Sequence, residues 1–237
     1  STGPYSNGVL TINGVRYDMV SIPSGEFQMG SDSAEAWPDE QPLHTVRISK
    51  GFWLGKTEVT QGLWQAVMGS NPSHFNYGDN YPVERVSWDN CQAFITKLNQ
   101  MVGGSFFRLP TEAEWEYACR AGTTGDRFGD LDAIAWFDGN SGLTTHPVGQ
   151  KQPNAFGLYD TIGNVWEWCQ DWYGESYTAG YQTDPTGAAS GSWRVKRSGE
   201  CEREARCARS PYRDADYPDY IISNNGFRLV AISASGG

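Results

Sequence analysis

Helical periodicity in this chain runs out at Gly122, close to its midpoint, and no other feature limits the fold as much. Before that point three segments carry helical spacing. Leu63, Trp64 and Val67 share a face of a segment from Thr60 to Met68, with Gly69 placed to terminate it. Ser87 can cap a second helix running to about Val102, with Cys91, Phe94, Ile95 and Leu98 on one side and Gly103-Gly104 at its end. Thr111-Glu-Ala-Glu114 reads as a capping box, because the Thr hydroxyl and the Glu carboxylate can each satisfy the other's backbone N–H. That helix is expected to reach about Arg120 and to stop at Gly122. Beyond it lie short strands and long loops, and loops of such length in a compact domain carry function or need a special stabiliser.

The N-terminal part adds strand signals. Val15 to Gly30 reads as a pair of strands around the turn Pro23-Ser24-Gly25, and His44–Ile48 and Phe52–Leu54 read as short strands. Residues 32–41 form a polar loop. The chain carries 28 Gly, 10 Trp, 12 Tyr and 10 Phe. Glycine supplies turns and aromatics bury large areas, so the mixture fits an irregular α+β fold with few regular elements. Without internal repeats or linkers, residues 1–237 are read as a single domain.

A net charge of −10 repels phosphate backbones and argues against nucleic-acid binding. No apolar run is long enough to span a bilayer. The sequence at Ser1 has no signal-peptide pattern, which means either that none exists or that the numbering begins after processing. The five cysteines are odd in number and lack a CxxC, and Cys91, Cys119 and Cys169 sit in apolar or helical contexts expected to bury them. His44, His74 and His146 are scattered, so neither residue type offers zinc-ligand spacing.

Several segments in order resemble the formylglycine-generating enzyme (sulfatase-modifying factor) family. They are Ile22-Pro-Ser-Gly-Glu-Phe-Gln-Met-Gly30, Thr57-Glu-Val-Thr60, Val67-Met-Gly-Ser-Asn-Pro-Ser73, Pro82-Val-Glu-Arg-Val-Ser-Trp88, Arg108-Leu-Pro-Thr-Glu-Ala-Glu-Trp-Glu-Tyr-Ala118, Asn154-Ala-Phe-Gly-Leu-Tyr159, Gly163-Asn-Val-Trp-Glu-Trp168 and Gly226-Phe-Arg-Leu229. The resemblance implies a C-type-lectin-like fold of the formylglycine-generating-enzyme type, with long loops. Fold alone does not set activity, since such a family holds oxidases and pure binding proteins.

The resemblance also implies a calcium site at Asp160-Thr-Ile-Gly-Asn-Val-Trp-Glu167, with side chains from Asp160 and Glu167 and carbonyls from Gly163 and Val165. The alternative is that the two acids only brace the loop. A second family calcium site needs an Asn that Ala133-Ile-Ala-Trp136 lacks, so none is expected there.

The family's oxidases use two cysteines five apart to bind copper, after an Arg-Val-x-x-Gly-Gly-Ser motif. Here Arg194-Val-Lys-Arg-Ser-Gly-Glu200 precedes Cys201 and Cys207, which are six apart. One extra residue displaces a sulfur by roughly 3 Å, so no copper is expected, although a gap in the alignment leaves the pair open. Residues 206–228 instead resemble the branch of the family diversified by retroelements, which includes a treponemal variable protein. The frame Arg209-Ser-Pro-Tyr-Arg213, Pro218-Asp219 and Asn224-Asn-Gly-Phe-Arg228 is in place. Between its parts stand Asp214, Ala215, Asp216, Tyr217 and then Tyr220, Ile221, Ile222, Ser223. Adenine mutation of AAC or AAT codons yields Asp, Ala, Tyr, Ile, Ser or Asn, which covers both blocks. Glu200, Glu202 and Glu204 fall outside that set.

Tyrosines with small polar residues are the composition of binding surfaces. The sequence therefore predicts a non-enzymatic ligand-binding protein with residues 194–228 as its variable segment. Its contact residues are drawn from Glu202, Arg203, Glu204, Arg206, Asp214, Ala215, Asp216, Tyr217, Tyr220, Ile221, Ile222 and Ser223. The expected partner is a protein or cell-surface ligand, the expected state a monomer, and the expected location the cell surface or exterior, with lipid anchoring through a segment outside this chain left open. A copper-dependent oxidase of a client protein's cysteine and a non-catalytic scaffold subunit are the other two readings.

Overall fold

A computed structural model of the protein describes residues 5–232. Its N-terminal part builds a six-stranded sheet from β1 (Tyr5–Ser6), β2 (Val9–Ile12), β3 (Val15–Ile22), β6 (Phe52–Gly55), β13 (Val230–Ala231) and β7 (Phe107–Arg108), in that order across the sheet. The last strand, β13, enters between β6 and β7, so the two ends of the chain close one sheet. Strands β4 (Gly25–Met29), β5 (His44–Ile48) and β9 (Gln182–Thr183) make a second sheet, and β11 (Asp214–Asp216), β10 (Arg194–Arg197), β8 (Trp166–Trp172) and β12 (Asn225–Gly226) make a third.

Strands β3 and β4 do not form the expected hairpin. β3 pairs with β2 and β6, whereas β4 pairs with β5. The two residues between them are Pro23 and Ser24, and two-residue hairpin turns need a positive φ at the first position, which proline's ring forbids. The chain bends out of one sheet into the next.

The three expected helices form as α1 (Gln61–Met68), α2 (Trp88–Val102) and α3 (Glu112–Arg120). Thr60, Ser87 and Thr111 cap them through their side chains, and the last two complete capping boxes. Gly69 and Gly103 close α1 and α2 in the left-handed conformation, while Ala121, ahead of Gly122, does so for α3. A one-turn helix α4 (Leu131–Ile134) was not signalled by periodicity. Helices α1 and α2 cover one face of the first sheet, where Trp64 stacks on Phe94 at 5.0 Å and Phe94 meets Phe227 edge-on at 5.3 Å.

Buried arginine–carboxylate pairs, more than backbone ladders, hold the loop-rich half to this frame. Glu112, at the first position of α3, accepts from Arg197, from Arg213 through both of its oxygens, and from the Tyr177 hydroxyl. Glu116, one turn on, accepts from Arg197, Arg120 and the backbone N–H of Gly30. Burial opposes the charge on Glu112, but Arg213 and Arg197 outweigh it and hold the carboxyl below its ordinary range. Arg209 forms a two-pronged pair with Glu40 at 2.6 and 2.9 Å, and neither side chain touches solvent.

Replacing Arg209 with Met strands Glu40 as an unpaired buried carboxylate, so chemical denaturation should show a loss of about 3–5 kcal/mol. The double variant Arg209→Met/Glu40→Met should recover most of that loss.

Candidate functional site

β11 is an edge strand, paired with β10 through Arg194 opposite Asp216 and Lys196 opposite Asp214. The chain then turns, with the Tyr220 N–H donating to the Tyr217 carbonyl, and re-enters the sheet at β12, which runs parallel to β8. Frame residues at both ends are buried: Arg209, Ser210 and Arg213 before the turn, Asn224, Asn225 and Arg228 after it. Between these anchors Tyr217 is 54 % exposed, Tyr220 45 %, Ile221 51 % and Ile222 40 %. Four large side chains of mixed apolar and aromatic character thus stand in solvent on adjoining positions. Ordinary surfaces carry such residues singly, and a contiguous group marks an interaction face.

Trp193 extends this group. It is 44 % exposed and meets Tyr217 edge-on at 6.0 Å. Sequence reasoning missed it, because Trp193 lies outside the slots of the frame. Asp214, Ala215 and Asp216 are half-buried. Their acids sit on Lys196, whose ammonium lies 2.5 Å from Asp216 and 3.4 Å from Asp214 beneath the strand. Ser223 is half-buried at the far foot of the turn.

Glu202, Arg203, Glu204 and Arg206 are exposed on a separate loop. Glu202 accepts from the Asn224 amide at 2.5 Å, which joins that loop to the foot of the turn. Arg206 instead lies over the Trp37 ring, 4.2 Å from its centre, so the 202–206 candidates split between two neighbourhoods.

The late cysteines are both buried and unlinked. The Cys201 thiol donates to the Asn224 side-chain carbonyl at 3.7 Å. Burial pushes both thiols above their ordinary value, and the charges of Glu200 and Glu202 push Cys201 further. Without a metal, both thiols thus sit in surroundings that disfavour the thiolate that a copper ion would need.

Of the acids expected to hold calcium, Glu167 lies at the start of β8, where β12 pairs with it. Both oxygens of Glu167 are committed: Arg228 donates to each at 2.7 Å, and the Trp115 indole adds a third bond at 2.7 Å. The Gly163 carbonyl accepts from the Ser198 hydroxyl. Asp160 accepts from the Gly149 N–H with one oxygen and leaves the other buried without a partner. Its neighbour is Glu58, which the sequence reading did not single out. Glu58 accepts from the Asn164 amide with one oxygen and leaves the other equally bare. Of the two expected acidic side chains, Glu167 is thus paired with Arg228 and Asp160 keeps a bare oxygen. The bare oxygens of Asp160 and Glu58 are the ones that suit a hard cation. Burial lifts the Asp160 carboxyl to about 6, and burial with the charge of Asp160 lifts Glu58 well above its ordinary value.

Residues 13–232 match the family described as sulfatase-modifying factor enzyme 1-like domain, and the chain belongs to that family. It is 31 % identical to the formylglycine-generating enzyme of Streptomyces coelicolor, across 89 % of this chain and 88 % of that protein. Its fold superposes on Treponema denticola variable protein 1 with a TM-score of 0.88 at 34 % identity, covering 94 % of this chain and 98 % of that one. PvdO from Pseudomonas aeruginosa superposes with a TM-score of 0.82 at 27 % identity, covering 90 % and 94 %. The fold is thus the α+β, C-type-lectin-like fold of the formylglycine-generating-enzyme type, with few helices, curled sheets and long loops. No helix among the described residues is long and apolar enough to cross a membrane.

The raised pKa values of Asp160 and Glu58 have a stability consequence. The folded state holds protons that the unfolded chain releases near pH 4, so without added metal stability falls as pH rises through about 6. Glu58→Gln removes one charge and offers an N–H to the bare Asp160 oxygen. In EDTA it should raise stability near pH 8 by about 1 kcal/mol or more and flatten the pH profile of Tm.

Proposed function

We propose that this chain is a non-enzymatic ligand-binding domain, a single unit over residues 1–237, in which residues 194–228 display the contact residues. The observation that carries this reading is the exposed group Tyr217, Tyr220, Ile221 and Ile222, set between buried frame residues. Tyrosine and isoleucine on a turn with rigid feet supply contact area at small ordering cost. Trp193 joins the face from the position just ahead of β10, and Glu202 borders it through Asn224. The similarity to a variable protein supports a face whose slots differ between copies, written by a retroelement from adenine-rich codons. The ligand is a protein or cell-surface molecule, met by a monomer displayed on the cell surface or outside the cell.

Formylglycine oxidation is the second reading, favoured by identity to the Streptomyces enzyme. The protonated setting of Cys201 and Cys207 speaks against it.

A library randomised at Tyr217, Tyr220, Ile221, Ile222 and Ser223 tests the display reading. Most members should keep stability within about 0.5 kcal/mol of the parent, and selection against an arbitrary protein target should return specific binders. Loss of folding across the library would sink the idea. In parallel, the protein with Cu(I) and a cysteine-containing peptide should consume no oxygen beyond its Cys201→Ser/Cys207→Ser variant.

Calcium is proposed as a stabilising ion, anchored on the bare oxygens of Asp160 and Glu58 beside the carbonyls of Gly163 and Val165. If so, calcium should raise Tm above its value in EDTA by mass action, and Asp160→Ala should erase the difference.

A further inference from the structure

A cavity separate from the turn opens where the N-terminus of α3, the end of β8 and the 174–188 loop meet. It has a volume of about 310 Å³, at the small end of the range for small-molecule sites. Asp171, Glu112, His44, Tyr177, Gly187 and Arg213 are among the residues that line it.

The acceptors around the cavity are not all used. Arg213 spends its Nε and one terminal nitrogen on Glu112 and the other on the carbonyls of Asp39 and Gly174. The Tyr177 hydroxyl donates to Glu112. Asp171 is only 3 % exposed, and one of its oxygens accepts from the Glu112 backbone N–H at 3.0 Å. Its other oxygen has no partner among the described residues and borders the cavity. Gly187 keeps that oxygen accessible, since a Cβ there would stand 2.9 Å from it. His44 Nδ1 lies 2.9 Å from the Pro42 carbonyl, which only accepts, so in the neutral ring Nδ1 donates and Nε2 is the acceptor. The cavity therefore offers a carboxylate and an imidazole nitrogen, and each nitrogen of Arg213, the guanidinium that lines it, bonds to a protein acceptor. Such a floor complements a small group that carries positive charge and several N–H donors.

We propose that this cavity binds a primary alkylammonium group, with Asp171 as its counter-ion and His44 Nε2 as a second acceptor. The group can belong to a free small amine or to a lysine side chain of a peptide. The site is independent of the display face.

Asp171 is faced by Glu112 and Glu114 of α3, by Arg213 ahead of β11 and by Arg194 of β10, with His44 and Tyr177 across the cavity. Burial and the charge of Glu112 lift its carboxyl to about 7. Alkylammonium keeps its proton far above that value, so binding should strengthen between about pH 6 and about pH 8.

The experiment titrates the whole protein with n-butylamine and with Nα-acetyl-lysine amide, followed by NMR shifts at low salt, with n-butanol as the neutral control. Saturable binding of an amine is expected, at least about tenfold weaker in Asp171→Asn, which keeps the acceptor for the Glu112 N–H. Ala188→Leu, on the half-buried rim, narrows the cavity without replacing a charged group and should also weaken binding, which decides the matter should Asp171→Asn misfold. Binding of butylamine alone assigns the site to free amines, and equal binding of the lysine amide assigns it to peptides. Equal binding of butanol, unchanged affinity in either folded variant, or no binding of either amine would overturn the proposal.

Discussion

Everything in the second half of this molecule depends on two carboxylates one helical turn apart. Glu112 and Glu116 face inward from α3 and gather Arg197, Arg213 and Arg120, three side chains whose backbones lie far apart in sequence. A chain with short strands and long loops satisfies little of its backbone through ladders, so something else must fix where the loops go. Planar guanidinium groups do this well, because each two-pronged pair sets direction as well as distance. The net stability of such a pair is small, since desolvation offsets attraction, whereas an alternative fold that separated the partners would leave charge stranded in the interior. These pairs therefore act mainly by excluding other arrangements. Glu112 gains further from its place at the helix N-terminus, where the backbone dipole favours a negative charge.

How much of this was legible in the sequence depends on the range of the interaction. Helices α1 to α3 were readable because caps and apolar spacing are local, and each cap residue does what its side chain permits. The β3–β4 hairpin was misread because a turn signal shows that the chain bends, not which strand it then joins. The exposure of Tyr217, Tyr220, Ile221 and Ile222 was legible only through the frame around them, since composition alone places such residues in a core. Glu58 and Asp171 were not legible. Glu58 meets Asn164 across 106 positions, and Asp171 meets Glu112 across 59, distances over which no local pattern exists. Glu167 carried the expected motif, yet its partner Arg228 lies 61 residues away and takes both of its oxygens.

The late cysteines illustrate the same separation of type and setting. A thiol is reactive through its anion, and the anion needs nearby positive charge or donors. Cys201 has instead Glu200 and Glu202 as its charged neighbours, and both late sulfurs are enclosed. Arg203 and Arg206, the nearby cations in sequence, turn outward.

Lys196 divides the display segment into two kinds of position. An ammonium under β11 that is only 5 % exposed needs an acceptor above it, and Asp214 and Asp216 provide one. Exchange at those two places is therefore restricted to side chains with an oxygen to offer, such as Asp, Asn or Ser. Tyr217, Tyr220, Ile221 and Ile222 overlie no such obligation. If copies of this domain evolve to recognise different targets, the strand should drift within a narrow polar vocabulary while the turn samples freely, and new specificities should arise at the turn first.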